Sequence, residues 1–124
     1  MNKLTRKEEQ IMQVIWQLGN CFVYDVIAHL PEPKPHYNTV STIVRALKEK
    51  GYVGHKAYGK THEYFPIVEL ESYRKQFFSK LVKDYFANSY KSVVSFLAQE
   101  KNISVEELKE IIEMIENPKD ENHG

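Results

Sequence analysis

At 124 residues, 42% hydrophobic and 27% charged, the chain holds either one ordinary domain or a small domain of about 60 to 70 residues with an appendage. Its 17 Lys and Arg balance 17 Asp and Glu, so total charge points to no polyanionic partner, and its one cysteine, Cys21, excludes an intrachain disulfide, a CxxC motif and a cysteine-based zinc cluster. The start MNKLTRKEEQ lacks the apolar run of a secretory signal, and no later stretch reaches a membrane-spanning length without a charge, so the expectation is a cytoplasmic chain with no membrane insertion.

Thr5 followed by Glu8 is a capping box, and it opens a predicted helix from about Arg6 to Leu18. Ile11, Val14, Ile15 and Leu18 repeat at helical spacing, Met12 and Trp16 widen the stripe, and Gly19-Asn20 supplies the stop. Trp16 reads as a core anchor and Cys21 as a small apolar residue near a turn. FVYDVIAHL predicts a shorter second helix with Val23, Val26, Ile27 and Leu30 inward, ended by the Pro-rich turn PEPKP. In YNTVSTIVRALKEKGYV, Val40, Ile43, Val44 and Leu47 form the apolar stripe of a third helix, which closes with Lys48 and Lys50 in its last turn and Gly51 beyond. The period then changes, and YVGHKAYGKTHEYFPI predicts two short strands around a tight turn at Gly59 and Lys60.

From Glu71 the pattern is helical again and heavy in large side chains. Tyr73, Phe77, Phe78, Leu81, Val82, Tyr85 and Phe86 line one stripe, and Tyr90, Val93, Val94, Phe96 and Leu97 line another. Ser104 and Glu107 form a second capping box before a last helix with Leu108, Ile111, Ile112 and Ile115 on one face, ending at Asn117 and Pro118. Three such helices give a minimal bundle at best, and so much apolar surface needs a cover, for which a second copy of the same segment is expected. The fold class expected is mainly α with a small β-hairpin wing: a winged helix-turn-helix domain over 1–69 and an α-helical dimerisation domain over 70–124.

The third helix carries the functional signal. Opposite its apolar stripe stand Asn38, Thr39, Ser41, Thr42, Arg45 and Lys48, short hydrogen-bonding groups and cations in place of the Glu/Lys lattice of a solvated face. In a helix-turn-helix such a face lies in the major groove, where Arg can take guanine O6 and N7 together. His55, Lys56 and Lys60 on the hairpin are placed to meet flanking phosphates. Charge polarity agrees: residues 36 to 64 hold five Lys and Arg against two Glu, whereas residues 101 to 124 hold three Lys against seven acids. The competing readings are an ordinary wet helix face beside a charged hairpin, and a winged helix used only to bind another protein. For an enzyme there is little: the five histidines show no metal-ligand spacing, and no Gly-rich phosphate loop or nucleophile elbow is present, so neither a metal nor a cofactor is expected.

From LTRKEEQIMQVIWQLG through NTVSTIVRALKEKGYVGHK and HEYFPIV to SVEELKEIIEMIEN, the sequence resembles the BlaI/MecI family of penicillinase and methicillin-resistance repressors, which includes copper-responsive members. The resemblance implies a winged-helix repressor that binds palindromic double-stranded operators as a homodimer through swapped carboxyl-terminal helices. It places the recognition helix on Tyr37, Asn38, Thr39, Ser41, Thr42 and Arg45 and the wing on His55 to Tyr64. In antibiotic-responsive members a membrane metalloprotease sensor triggers cleavage of an Asn-Phe bond in the dimerisation helices. The aligned bond here is Ser95-Phe96, with Ser in place of Asn. Copper-responsive members carry a carboxyl-terminal cysteine motif, and this chain ends in ENPKDENHG without one.

Overall fold

Arg6–Leu18 form α1, and both ends show why. In a computed structural model that describes residues 2–117, Thr5 Oγ1 accepts the Glu8 amide at 3.1 Å and Glu8 Oε1 accepts the Thr5 amide at 2.8 Å. Gly19, at φ 77°, closes the last turn by donating to the Ile15 carbonyl. Pro118 and the tail residues Lys119, Asp120, Glu121 and His123 lie outside the described residues. Helix α2 (Val23–Ala28) starts where Asp25 Oδ2 accepts the Phe22 amide at 2.8 Å, and it turns Val23 and Val26 inward.

Helix α3 (Tyr37–Glu49) buries Val40, Val44 and Leu47, with Ile43 half-buried beside them. It ends in a Schellman motif: the Tyr52 amide donates to the Leu47 carbonyl at 2.9 Å and the Gly51 amide to the Lys48 carbonyl at 3.0 Å, with Gly51 at φ 85°. Strands β1 (Val53–Tyr58) and β2 (Thr61–Pro66) then pair antiparallel from Val53↔Pro66 to Tyr58↔Thr61. The two-residue loop between them sets Gly59 at φ 64° in its first central position, the position that a type II′ turn reserves for glycine. Cys21 adds a single antiparallel bridge to Tyr64, through amide-to-carbonyl bonds of 2.9 and 2.7 Å, so the residue between the first two helices is stitched to the hairpin.

One core joins these pieces, running from Leu4, Ile11, Met12 and Ile15 through Val26, Val40, Val44 and Leu47 to Tyr52, Val53 and Tyr64. Trp16 is half-buried at its edge; its indole N–H donates to the Val68 carbonyl at 2.8 Å and its ring lies 5.1 Å from that of Tyr73. Glu8 is the buried charge, and Lys50 answers it with Nζ 2.6 Å from Oε1 and 3.0 Å from the Lys3 carbonyl. Burial pushes the Glu8 carboxyl up, but the hydrogen bonds from Lys50 and Thr5 and the charge of Lys50 outweigh it and hold the pKa below the ordinary 4.5. Lys50, counted from sequence among the cations of the basic middle, is thus spent on the core.

The chain divides between Lys75 and Gln76 into two compact units. Helix α4 (Leu70–Tyr85) continues into the second unit, which holds α5 (Tyr90–Gln99) and α6 (Val105–Glu116). Ser89 caps α5 and the Ser104/Glu107 capping box opens α6. Helices α4 and α5 meet around buried Val82 and Val93, with Phe78 against Tyr90 at 5.9 Å and Phe86 against Phe96 at 5.8 Å. A minimal three-helix bundle does not form: no side chain of α6 is buried, because each of these helices carries a broad apolar stripe and the single chain offers it too little matching surface. No helix among the described residues is long and apolar enough to cross a membrane.

Candidate nucleic-acid interface

With Val40, Val44 and Leu47 fixed in the core, helical geometry turns the remaining face of α3 outward. Asn38, Thr39, Thr42, Arg45 and Lys48 are exposed, Tyr37 is 41% exposed, and Ser41 is half-buried. Thr42 Oγ1 donates to the Asn38 carbonyl at 2.9 Å and accepts from Arg45 Nη2 at 3.3 Å. That pairing lays the guanidinium along the helix and restricts it before any partner arrives. At the start of α3, His36 makes no side-chain cap and the first turn holds no acid, unlike α1 and α6 with their capping boxes. The first-turn amides and the positive end of the helix dipole are therefore open to an anion.

The hairpin has two chemically different faces, because successive side chains on a strand alternate. His55, opposite Tyr64, and Ala57, opposite His62, share one face; Lys56, opposite Glu63, and Tyr58, opposite Thr61, share the other. On the first face the rings of His55 and His62 stack 4.3 Å apart at 18°. This face neighbours α3: burial first, then the charges of Lys48 and His62, hold the His55 pKa below its ordinary value. Tyr64 is raised by burial, then by Tyr37, with Arg45 opposing. On the second face Lys56 Nζ sits 5.5 Å from the Tyr58 ring centroid, and that ring lies 6.2 Å from Phe22. Tyr58 Oη donates to Glu63 at 3.4 Å. Lys60 is exposed in the turn. The three hairpin residues singled out from sequence are therefore not one cluster: His55 looks toward α3, Lys56 away from it, and Lys60 tips the loop.

Two side chains escaped the sequence reading. Tyr24, 70% exposed on α2, packs its ring 4.7 Å from Tyr37 at the start of α3. Its position off the Val23, Val26, Ile27 stripe was the available signal, since an aromatic on an outer face has to find a neighbour or a partner. His62 stands two ladder positions from Tyr64 on the same face, and only the strand register reveals that it meets His55.

The residues expected to dimerise fall in three states. Phe77, Phe78, Tyr85, Val94, Phe96, Ile111, Ile112 and Ile115 are exposed, Leu81, Phe86, Leu97 and Leu108 half-buried, and Val82 and Val93 buried. Ser95 and Phe96 are exposed in the middle of α5. Among the described residues no group of three His, Cys, Asp or Glu side chains is placed to hold a metal ion.

Known proteins with similar sequences are regulators. The methicillin resistance regulatory protein MecI of Staphylococcus aureus strain N315 is 19% identical over 88% of this chain and 89% of its own. The penicillinase repressor of Bacillus licheniformis is 22% identical over 94% of this chain and 92% of its own. Among solved structures, a CopR repressor aligns at 29% identity over 55% of this chain and 100% of that one, with a TM-score of 0.45. The penicillinase repressor family model matches residues 4–117, nearly the full length. The chain belongs to the penicillinase repressor family, and it is accordingly a DNA-binding winged-helix transcriptional repressor and not an enzyme.

Proposed function

We propose that the protein represses transcription as a homodimer on a palindromic operator, each copy laying α3 in the major groove with the wing on flanking backbone. The observation that carries this reading is the common side of α3 and the hairpin. There Asn38, Thr39, Thr42, Arg45 and Lys48 stand exposed, beside the His55 and Tyr64 face of the wing. Arg45 and the hydroxyl face read bases; Lys48 and Lys60 supply charge there, and Lys56 supplies it from the opposite face of the wing. The first domain, 1–69, binds DNA and the second, 70–124, dimerises; exposed Phe78, Tyr85, Ile111 and Ile115 support that division.

Derepression follows from loss of that dimer. A cut at Ser95-Phe96, triggered by a membrane metalloprotease sensor, would detach α6 and leave each amino-terminal unit folded but unlinked. Because the bond lies inside a helix and proteases need extended backbone, α5 must unwind before cleavage. Selection of duplexes from a random pool with the full chain tests the DNA reading: an inverted repeat should be enriched, and a pool that stays random would overturn it. Sedimentation of the full chain tests the dimer, and a concentration-independent monomer would refute it. Mass spectrometry of the chain from derepressed cells tests the proteolytic arm, which an intact chain there would remove.

A further inference from the structure

We propose that His55 and His62 form a proton-linked phosphate seat on the wing face beside the recognition helix, one that takes up a proton when duplex DNA docks. This rests on the DNA-binding reading above and adds a residue, His62, and a pH dependence that the reading does not contain.

The two imidazoles are diagonal neighbours on one face of the ladder, and Ala57, opposite His62, is too short to separate them. They stack at 4.3 Å, a separation that neutral rings tolerate and two imidazolium ions do not, since unit charges that close repel in any protein environment. His55 Nδ1 is buried with no hydrogen-bond partner among the described residues, so a proton placed there would leave a buried donor unpaired. Lys48 acts on His55 from α3, His62 and Tyr64 touch it from β2, and Tyr37 and Arg45 act in turn on Tyr64. None of these is a carboxylate; Glu63, the nearest acid in sequence, points to the opposite face of the hairpin. Burial, Lys48 and His62 together keep His55 below its ordinary pKa in the free protein.

A stacked pair whose inner ring, His55, is kept from its charged form by burial and by neighbouring positive charge, with His62 exposed at its mouth, is set to receive an anion. A phosphodiester placed there reverses the sign of the local field, raises the affinity of the pair for a proton, and accepts a hydrogen bond from the resulting imidazolium. The linkage has a definite sign. Because bound DNA raises the proton affinity, binding strengthens as pH falls through neutrality, by no more than about tenfold per pH unit for each proton taken up.

The test uses the full chain and two probes, the inverted-repeat duplex recovered by selection and a random-sequence duplex. Affinity for both should rise several-fold between pH 8 and pH 6, and calorimetry in two buffers of different protonation enthalpy should report proton uptake on binding. His62→Gln should flatten the pH slope. His62→Arg, which fixes the charge, should bind at pH 8 as tightly as the natural chain does near pH 6 and lose the slope too. Lys60→Ala should weaken binding at every pH and keep the slope. An unchanged slope in His62→Gln, with circular dichroism showing a folded chain, or zero proton uptake by a chain that binds DNA, would overturn the proposal. A chain that binds neither duplex at any pH would overturn the DNA-binding reading itself, and this inference with it.

Discussion

The two units of this chain are comparably rich in apolar side chains and treat them in opposite ways. In the amino-terminal unit fifteen side chains from Leu4 to Tyr64 close into one buried cluster, whereas in the carboxyl-terminal unit only Val82 and Val93 are buried among the described residues. Ile111, Ile112 and Ile115 stand 42%, 51% and 73% exposed on a well-capped helix. Hydrophobic content alone thus separates neither a self-sufficient domain from an incomplete one nor a core from an interface. What separates them is whether the stripes find each other within one copy. The helix-turn-helix with its hairpin surrounds its core from several directions, and α4, α5 and α6 within one copy do not.

The sharpest way to break this contrast is to cut the chain. An amino-terminal fragment ending at Lys75 keeps Tyr73 and its hydrogen bond to Glu9 at 2.6 Å, and it should remain folded, be monomeric, and lose roughly 10²- to 10⁴-fold in operator affinity as the linkage between half-sites disappears. Sedimentation and fluorescence anisotropy check both parts. Next in size is a pair of matched truncations. Leu47→Ala, in the filled core, should cost about 2 to 5 kcal/mol in chemical denaturation at any protein concentration. Ile112→Ala should leave the amino-terminal unit untouched and shift the dimer dissociation constant instead, so its effect should vanish in dilute solution. A fixed, concentration-independent loss from Ile112→Ala would show that α6 packs within its own chain.

Smaller effects sharpen the amino-terminal side. Arg45→Ala should lose about 1 to 3 kcal/mol on the selected duplex and blur its preference over random DNA, while Lys60→Ala weakens both duplexes alike and lowers the salt slope by about one ion. Smallest is the pH response of Glu8. Its folded pKa lies below the unfolded 4.5, so the pairing with Lys50 contributes fully above that value and is lost as pH falls through the lowered one. Glu8→Gln should therefore cost about 1 kcal/mol at pH 7 and reduce the acid sensitivity of the amino-terminal unit as pH falls below the ordinary carboxylate value of 4.5. Equal acid sensitivity in the two proteins would assign it to other carboxylates.

Local signals were legible in the sequence wherever one residue's chemistry decides one local geometry. The Thr5 and Glu8 pair placed the start of α1, Gly51 placed the end of α3, and Gly59-Lys60 placed the hairpin turn. The winged-helix order and the outward polar face of α3 followed from periodicity. Partners across the fold were not legible, because periodicity says which face a residue occupies and not what stands opposite. Nothing around Lys50 announces that it leaves the basic surface for Glu8, 42 residues earlier. The Cys21 and Tyr64 bridge is a single residue pair and has no pattern at all. Lys56 and His55, adjacent in sequence, invite grouping, and only the strand pleat divides them.

Tyr52 has a consequence in time as well as in structure. Its amide closes α3 on Leu47, its carbonyl accepts the amides of Ile67 at 2.7 Å and Val68 at 3.2 Å, and its hydroxyl donates to the Asn2 carbonyl. One residue, 1% exposed, thus ties together the beginning, the middle and the end of the amino-terminal unit through its backbone and its side chain. No small fluctuation can release one of those strands of backbone without disturbing the others, so the amides of Tyr52 and Ile67 should exchange with solvent deuterium only when the whole unit opens. The amides of α6 should exchange through local fraying, orders of magnitude sooner. The molecule should then keep two clocks, a slow one set by the core around Tyr52 and a fast one that a dimer partner alone can slow.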